Sequence, residues 1–483
     1  MRKNNFFVLL IIFFYFLSIP VFAEEDSPNI ETEESSSEMT SPPETNKETN
    51  FDFDLGINLG VDTFDPSSGS DSSETYQLIS IKPEFKIGKF GIAFDLELHY
   101  RFTSNTDQII EIREEDWVPT DSSDFLALYL PKISYISWGD KGDTLFARLG
   151  EIDSATLGTG FLVDSYTNTL FLPDEKVIGL VFDMDANFFN FPYLGLESMA
   201  GNIAHFDVTS LRLYGTPFKW SKVPTLKYLE FGFTTALDLD PDYREDYYIT
   251  DNNSGAEASP VVIFGLDLVQ PILNNRIISM AAFGDMAFQN SHMGGDIGLG
   301  GRILAIVPYM LKLRILGDNF VPSYFDYTYD LYRGQKYDIY NTSDGTVALE
   351  GGLGWVASTG ICVFNDLLKF TITMDGPFKS IPEGSIEDNS YLEYPHLYSE
   401  FVVAEDLIPY LYFSASFDKK YITEIADIVS AENSIIDFSF NFITGAAVIS
   451  LSYDMIYDDD GVDGVSWTDF NIDTSLNCSL KLF

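Results

Sequence analysis

The 483-residue chain has only two cysteines, which lie in different predicted strands and do not make a disulfide framework. After Ala23 it has no uncharged apolar run of about 18 residues, and this excludes membrane-spanning helices. Basic residues number 28 against 74 acidic ones, so the net charge of −46 excludes nucleic acid as a partner. The four histidines show no metal-site spacing. We therefore expect no metal, no cofactor and no enzymatic activity.

The N-terminus has the three parts of a secretory signal peptide. Arg2 and Lys3 precede an apolar run over residues 6–17, and small residues follow Pro20 up to Ala23. This pattern predicts a signal peptide over 1–23; an uncleaved anchor is the alternative, although the run is short for a span of about 20 residues. Residues 24–50 contain nine acidic side chains, three prolines and no aromatic residue. Such a composition predicts a disordered acidic tail on the periplasmic side.

Alternating polar and apolar residues recur from residue 51 to the end of the chain. In residues 51–62, FDFDLGINLGVD, every odd position is apolar and every even position is Asp, Gly or Asn. The same period of two appears over 90–102, 227–239, 261–268, 434–443 and 446–457. A period of two indicates strands with one apolar and one polar face. No segment longer than two helical turns has a convincing helical period, so we expect an all-β domain over 51–483.

The connections between these strands alternate in length. Long or polar segments such as 103–123, 152–175 and 318–345 alternate with brief turns, for example at Asn274-Asn275 and Pro308, which places the long loops at one end of the strands. Two of the loops predicted at that end, near His205 and Gln289, are short. This sorting predicts a transmembrane antiparallel up-and-down β-barrel of about 16–20 strands. A barrel of about eight strands has an interior that side chains just fill, so in a barrel of about 16–20 strands the polar faces should point inwards. A wider barrel therefore encloses water, and its apolar faces meet lipid.

With its signal peptide, alternating strands, sorted loops and terminal Phe483, the sequence resembles bacterial outer-membrane β-barrels of the porin type. The resemblance implies an outer-membrane location, a periplasmic N-terminus and extracellular long loops. It also implies outer-membrane lipid, the barrel-assembly machinery and small solutes as partners. An oligomer is compatible with the resemblance, because trimers are common among such porins.

The leading interpretation is a channel for passive diffusion of small hydrophilic solutes, with cations favoured by the negative charge. The alternatives are an outer-membrane transporter of a hydrophobic solute and a surface-exposed structural or adhesive barrel. The pore-lining candidates lie on predicted polar faces and are Asp52, Asp54, Asn58, Asp95, Glu97, Arg101, Glu230 and Asp267.

One long loop is rich in aromatic residues, with eight between Phe320 and Tyr340. One hypothesis is that this loop enters the lumen as a constriction, and another is that its rings form a stacking surface for sugars. The alternative is an interfacial aromatic belt with ordinary loop packing. The candidates for the constriction or binding loop are Tyr324, Phe325, Tyr327, Tyr329 and Tyr332.

Overall fold

The structure is a computed structural model that describes most of the chain after residue 50. The described residues are 51–64, 74–102, 110–119, 128–170, 176–186, 193–223, 226–241, 259–342, 345–379, 395–420, 422, 425–430, 432–445, 447–457 and 470–481. The predicted signal peptide and the acidic tail lie outside the described residues. For Asp52 and Asn58 the structure describes the backbone, and their side chains lie outside the description.

The described residues form strands with little helix, as the period of two predicts. The strands are β1 (Phe51–Phe64), β2 (Glu74–Ile87), β3 (Phe90–Phe94), β4 (Leu96–Phe102), β5 (Ile110–Ile112), β6 (Ile133–Trp138), β7 (Leu145–Gly150), β8 (Val163–Asp164), β9 (Gly179–Asp185), β10 (Leu194–Ala200), β11 (Val208–Gly215), β12 (Glu230–Asp238), β13 (Val261–Asn274), β14 (Ile278–Gln289), β15 (His292–Ile303), β16 (Val307–Leu316), β17 (Phe325–Asp326), β18 (Gly352–Val363), β19 (Leu368–Pro377), β20 (His396–Ile408), β21 (Leu411–Lys419), β22 (Ser434–Thr444), β23 (Ala447–Tyr457) and β24 (Phe470–Lys481). The helical elements are the α-helix α1 (Arg333–Tyr340) and the short 3₁₀ helices Glu114–Asp116, Leu130–Lys132, Leu226–Tyr228 and Ile425–Val429.

Antiparallel pairing closes these strands into a ring. β1 pairs with β2 on one side and with the last strand, β24, on the other. β3 and β4 occupy one position in the ring, because both pair with β2. β5 and β6 occupy the next position, because β5 pairs with β4 and β6 pairs with β3. The 22 strands of the sheet therefore occupy 20 positions. The prediction of an all-β up-and-down barrel with about 16–20 strands is confirmed.

The two faces of the wall differ as the alternation predicts. In β13, Leu266 and Leu268 are 49% and 43% exposed, whereas Asp267 between them is 5% exposed. In β16, the exposed Leu311 and Leu313 flank the buried Lys312. The apolar side chains face outwards and the charged ones face the interior of the ring. Among the described residues, no helix is long and apolar enough to cross a bilayer.

Connections of different length lie at opposite ends of the ring. The end that we call the short-turn end has connections such as 88–89, 275–277, 304–306 and 409–410, and the long-loop end has 151–178 and 317–351. Two connections at the long-loop end, 201–207 and 290–291, are short, as the sequence predicts near His205 and Gln289. β1 begins and β24 ends at the short-turn end. One connection there, 216–229, is longer than the others.

Two local predictions differ from the structure. The strand predicted over 227–239 begins at Glu230, because pairing with β13 starts there and Leu226–Tyr228 forms a 3₁₀ turn. The turn predicted at Pro308 lies at 304–306, where Leu304 and Ala305 adopt positive φ. Pro308 instead lies near the start of β16, a strand position that tolerates the missing amide hydrogen.

Candidate solute pathway

Two long connections fold into the ring and pack against its inner wall. We call the described residues 151–170 and 176–178 inner loop 1 and the described residues 317–342 and 345–351 inner loop 2. Their buried apolar side chains form one cluster with wall residues such as Val208, Ala236 and Ile263. A two-stranded parallel pairing of β8 with β17 joins the loops to each other. The interior of the barrel therefore has an apolar core of its own on one side.

The aromatic residues of inner loop 2 occupy this core. Tyr324, Phe325 and Tyr329 are fully buried, with ring centroids 5.1 Å apart for Tyr324–Phe325 and 4.7 Å apart for Phe325–Tyr329. Phe161 of inner loop 1 stacks on Phe320 at 5.6 Å. The three buried rings of inner loop 2 have no open face for a solute in this arrangement.

A buried arginine at the start of α1 joins inner loop 2 to the wall. The guanidinium of Arg333 is 0% exposed and donates from Nε and Nη2 to Asp238 of β12, at 2.7 and 2.6 Å. Its Nη1 donates to Asp207 at 3.0 Å, and the hydroxyl of Tyr329 donates to Asp238 at 2.5 Å. Burial acts to lower the pKa of Arg333, but Asp238 and its neighbours hold that pKa well above the ordinary value. The guanidinium therefore stays charged and neutralises the buried carboxylates.

A second buried cation holds the loop in its own shape. Lys336 of α1 is 0% exposed, donates from Nζ to the Tyr324 carbonyl at 2.8 Å and lies 2.9 Å from Asp326 Oδ2. Burial lowers the pKa of Lys336 to about 8, and Asp326 opposes part of that shift. Further along α1, the hydroxyl of Tyr340 accepts from the amide of Val262 in β13 at 3.1 Å.

The other side of inner loop 2 reaches the opposite wall. Tyr327 donates its hydroxyl hydrogen to Asp437 of β22 at 2.8 Å, and Ser416 donates to the same carboxylate at 2.6 Å. Lys420 donates to the hydroxyl of Thr328 at 2.6 Å. β12 and β22 lie nine positions apart in the ring of 20. Inner loop 2 therefore crosses the interior from one wall to nearly the opposite one.

A cavity of about 870 Å³ lies beside this crossing loop. It is bounded by the inner faces of β16 and β18–β21, by inner loop 2 and by Asp164 and Ser165 of inner loop 1. Its lining includes apolar residues such as Met310 and Val356 and a balanced set of charges. The charged lining residues are Lys312, Arg314, Lys369, Lys379, Lys420, Asp164, Asp326, Glu350, Asp375 and Asp418, together with His396.

Several of these charges form a connected network. Arg314 pairs with Asp375, and the His396 ring lies between Asp375 and Asp418 at 3.3 and 3.0 Å. Lys312 forms a separate pair, 3.4 Å from Asp296 on the neighbouring strand. The network fixes the charged groups along one wall, so a solute in the cavity meets positioned donors and acceptors.

The sequence-predicted lining residues are spread over other parts of the wall. Asp95 is buried beside Lys82 and Lys176, at 3.0 and 2.9 Å, and Arg101 pairs with Glu111 at 2.9 Å. Asp54 and Glu97 are half-buried. None of the pore-lining candidates with described side chains lines the 870 Å³ cavity.

Two further candidates meet at one buried arginine. Arg212 of β11 donates to Asp267 at 2.7 and 3.0 Å and to Glu230 at 2.8 Å. Asp267 and Glu230 are therefore held as partners of this guanidinium beneath inner loop 1.

Among the aromatic candidates, Tyr324, Phe325, Tyr329 and Tyr332 are buried, whereas Tyr327 lies at the cavity. Tyr327 lines the cavity, and its ring lies 6.5 Å from that of Tyr398. Tyr332 is 8% exposed and has the Lys420 ammonium 4.3 Å from its ring centroid.

Lys312 and Arg314 line the cavity but are not among the residues predicted from the sequence. The signal was present, because both alternate with the apolar residues Leu311, Leu313 and Ile315, as the predicted lining residues alternate with apolar neighbours.

Comparisons with known proteins give distant structural likenesses. No family model and no curated protein matches the sequence. Among solved structures, the chain is similar to OpdL and OpdQ of Pseudomonas aeruginosa, each at 8% identity, with TM-scores of 0.29 and 0.32 and coverage of 90% of this chain and 99% of each of theirs. It is also similar to a BenF-like porin of Pseudomonas fluorescens Pf-5, at 8% identity and a TM-score of 0.31, with the same coverage. The assignment as a closed antiparallel barrel rests on the strand pairing.

Proposed function

We propose that the chain is an outer-membrane channel for passive diffusion of small hydrophilic solutes. The main observation in support of this proposal is the combination of an apolar outer wall with a charged cavity inside the ring. Ile297 and Leu311 are both 60% exposed on the outside, whereas Asp296 and Lys312 face the interior. Because the ring leaves no open edge among its described strands, such a wall satisfies its backbone hydrogen bonds in lipid.

The distribution of the connections supports one orientation in the membrane. Outer-membrane barrels have short periplasmic turns and longer extracellular loops. By this rule the short-turn end faces the periplasm, together with the start of β1, and the long-loop end faces outwards. The roles of outer-membrane lipid and the barrel-assembly machinery, and an oligomeric state, stay predictions at this point.

The size and lining of the cavity support small polar solutes. A volume of about 870 Å³ lies within the range of about 300–1,000 Å³ of small-molecule sites. Its ten Lys, Arg, Asp and Glu side chains argue against a transporter of a hydrophobic solute. A purely adhesive barrel has no need of such a cavity. The absence of enzymatic activity stays a prediction.

The charge preference depends on two opposing features. The net charge of −46 favours cations near the protein, but the cavity lining has equal numbers of acidic and basic residues, His396 aside. We therefore expect a weak cation preference. Reversal potentials in a salt gradient across a planar bilayer measure it, and an anion preference would contradict the expectation.

A pair of adjacent substitutions tests whether solutes cross through this cavity. Met310→Trp adds bulk to the cavity lining, and Leu311→Trp adds the same bulk to the outer face. We expect Met310→Trp to lower conductance and the rate of sugar-driven liposome swelling severalfold, whereas Leu311→Trp leaves both unchanged. Equal rates for both variants would place the pathway elsewhere. A folded, inserted wild-type barrel without conductance would overturn the channel proposal itself.

A further inference from the structure

The long connection at the short-turn end differs in charge from the rest of the chain. Residues 216–229, TPFKWSKVPTLKYL, contain three lysines and no acidic residue, in a protein that has 74 acidic residues and 28 basic ones. The segment joins β11 to β12, and residues 216–223 and 226–229 of it are described. We call the described residues 218–223 and 226–228 the basic rim patch.

Large apolar side chains of this patch are strongly exposed. Trp220 is 75% exposed and Tyr228 is 56% exposed, and Phe218, Val223 and Leu226 are between 40% and 48% exposed. Isolated exposed apolar residues need no explanation, but five within eleven residues form a patch that favours an interaction.

The rings connect the patch to the outer wall of the barrel. Phe218 packs edge-on against Phe231, at 6.0 Å between centroids, and Phe231 is itself exposed on the outer face of β12. Trp220 packs edge-on against Tyr193, which precedes β10, at 6.0 Å. The patch is therefore continuous with the apolar outer face and not with the interior of the ring.

The cations of the patch differ from others at the same end of the barrel. Lys222 and Lys227 are exposed, and among the described residues neither forms an ion pair with a carboxylate. By contrast, Lys89 pairs with Asp143 at 2.7 Å and Arg302 pairs with Asp366 at 3.0 Å. Lys222 and Lys227 thus present positive charge that the described carboxylates do not cancel.

We propose that the basic rim patch binds the headgroups of anionic phospholipids in the leaflet at the short-turn end. This inference rests on the membrane placement in the proposed function. Tryptophan and tyrosine favour the headgroup level of a bilayer, and lysine ammonium groups there attract anionic lipid while their stems stay in apolar surroundings. Continuity with the outer wall favours a lipid over a water-soluble anionic partner.

Quenching of Trp220 fluorescence by brominated lipid measures this binding in the full-length protein. The protein is reconstituted in vesicles of equal parts phosphatidylglycerol and phosphatidylcholine, with one or the other lipid brominated near the glycerol end. The contribution of Trp220 is the difference between wild type and Trp220→Phe. We expect phosphatidylglycerol to be enriched roughly fivefold or more around Trp220 at low salt, which corresponds to about one lysine–headgroup interaction.

Two sets of variants separate the patch from general electrostatics. Neutralising Lys219, Lys222 and Lys227 to Gln should return the enrichment to nearly 1, as should about 1 M salt, where the Debye length is about 3 Å. Neutralising Lys86 and Lys89, which pair with Glu84 and Asp143 at the same end, should change nothing.

The outcomes distinguish this inference from the proposed function. Equal quenching of Trp220 by both lipids in wild type overturns lipid selectivity. Absence of Trp220 quenching, while the outer-wall residue Trp138 is quenched, shows that the patch faces water and serves a soluble partner. If Trp138 also escapes quenching, the barrel is not in the bilayer and the proposed function fails first.

Discussion

Replacing Arg333 with glutamine tests whether the buried ion pairs hold inner loop 2 across the interior of the barrel. The substitution removes the charge that neutralises Asp238 and Asp207, and Asp238 is 0% exposed. It leaves the aromatic cluster around Tyr324 intact, so the change acts on the junction with the wall. We expect inner loop 2 to leave the wall more often and the channel to open more widely.

The magnitude follows from the burial of the carboxylates. Removing one partner of a buried ion pair destabilises by about 3–5 kcal/mol, because the remaining charge stays buried and uncompensated. Since about 1.4 kcal/mol changes an equilibrium constant tenfold, the docking equilibrium of the loop should shift by roughly a hundredfold to a few thousandfold. Packing of Tyr324, Phe325 and Tyr329 should keep part of the population docked.

Two measurements report on this equilibrium. Lys336 is fully buried in the docked loop, so trypsin cleavage after Lys336 should be slow in wild type and much faster in Arg333→Gln. Single-channel recordings of the variant should show added states of higher conductance. Arg302→Gln is the matched control, because it breaks an exposed ion pair with Asp366 at the short-turn end, outside the cavity lining and inner loop 2, and should have little effect.

A folded Arg333→Gln variant that resists trypsin as wild type does and conducts in the same way would refute the role of Arg333 in docking inner loop 2. Heat-modifiable gel migration shows whether the barrel has formed. If Arg333→Gln does not assemble, Asp207→Asn is the milder substitution, because it weakens one of the guanidinium contacts and leaves those to Asp238. It should then give the same effects with smaller amplitude.

Two further predictions concern the same loop. The pKa of Lys336, about 8, lies below the value of about 10.5 for an exposed lysine. Between these two pH values the docked loop therefore binds fewer protons than the undocked loop. Docking should strengthen as the pH rises through this range. High-conductance states should therefore become rarer across this range in wild type; a Lys336→Met variant with the same pH dependence would contradict the assignment. Tyr327→Phe removes the hydrogen bond to Asp437, worth about 1.5–3 kcal/mol for a charged acceptor, and should increase current fluctuation. Ser416→Ala removes another bond to that carboxylate without touching inner loop 2, and a fluctuation as large as that of Tyr327→Phe would count against a role of the loop.

The position of the cavity could not be predicted from the sequence. The predicted lining residues Asp95 and Asp267 do carry charge on the inner side of the wall, but Lys176 and Arg212 cover them. These partners lie 81 and 55 residues away along the chain, so no local pattern shows that they meet. The alternation of polar and apolar residues predicts which side chains point inwards. Whether a solute can reach those side chains depends on which parts of the wall the inner loops cover.

The sequence by itself determined the local features of this protein. A period of two sets the two faces of a strand, so Phe231 and Phe233 lie outside while Thr234 lies inside, and turn-forming segments set the connections. These patterns depend on neighbouring residues only. The tertiary structure decided which parts of the long loops enter the ring, because Arg333 meets partners 95 and 126 residues earlier in the chain, and the position of the cavity depends on that meeting. Contacts at such separations depend on how distant segments of the chain pack together, and this is why only the folded barrel reveals them.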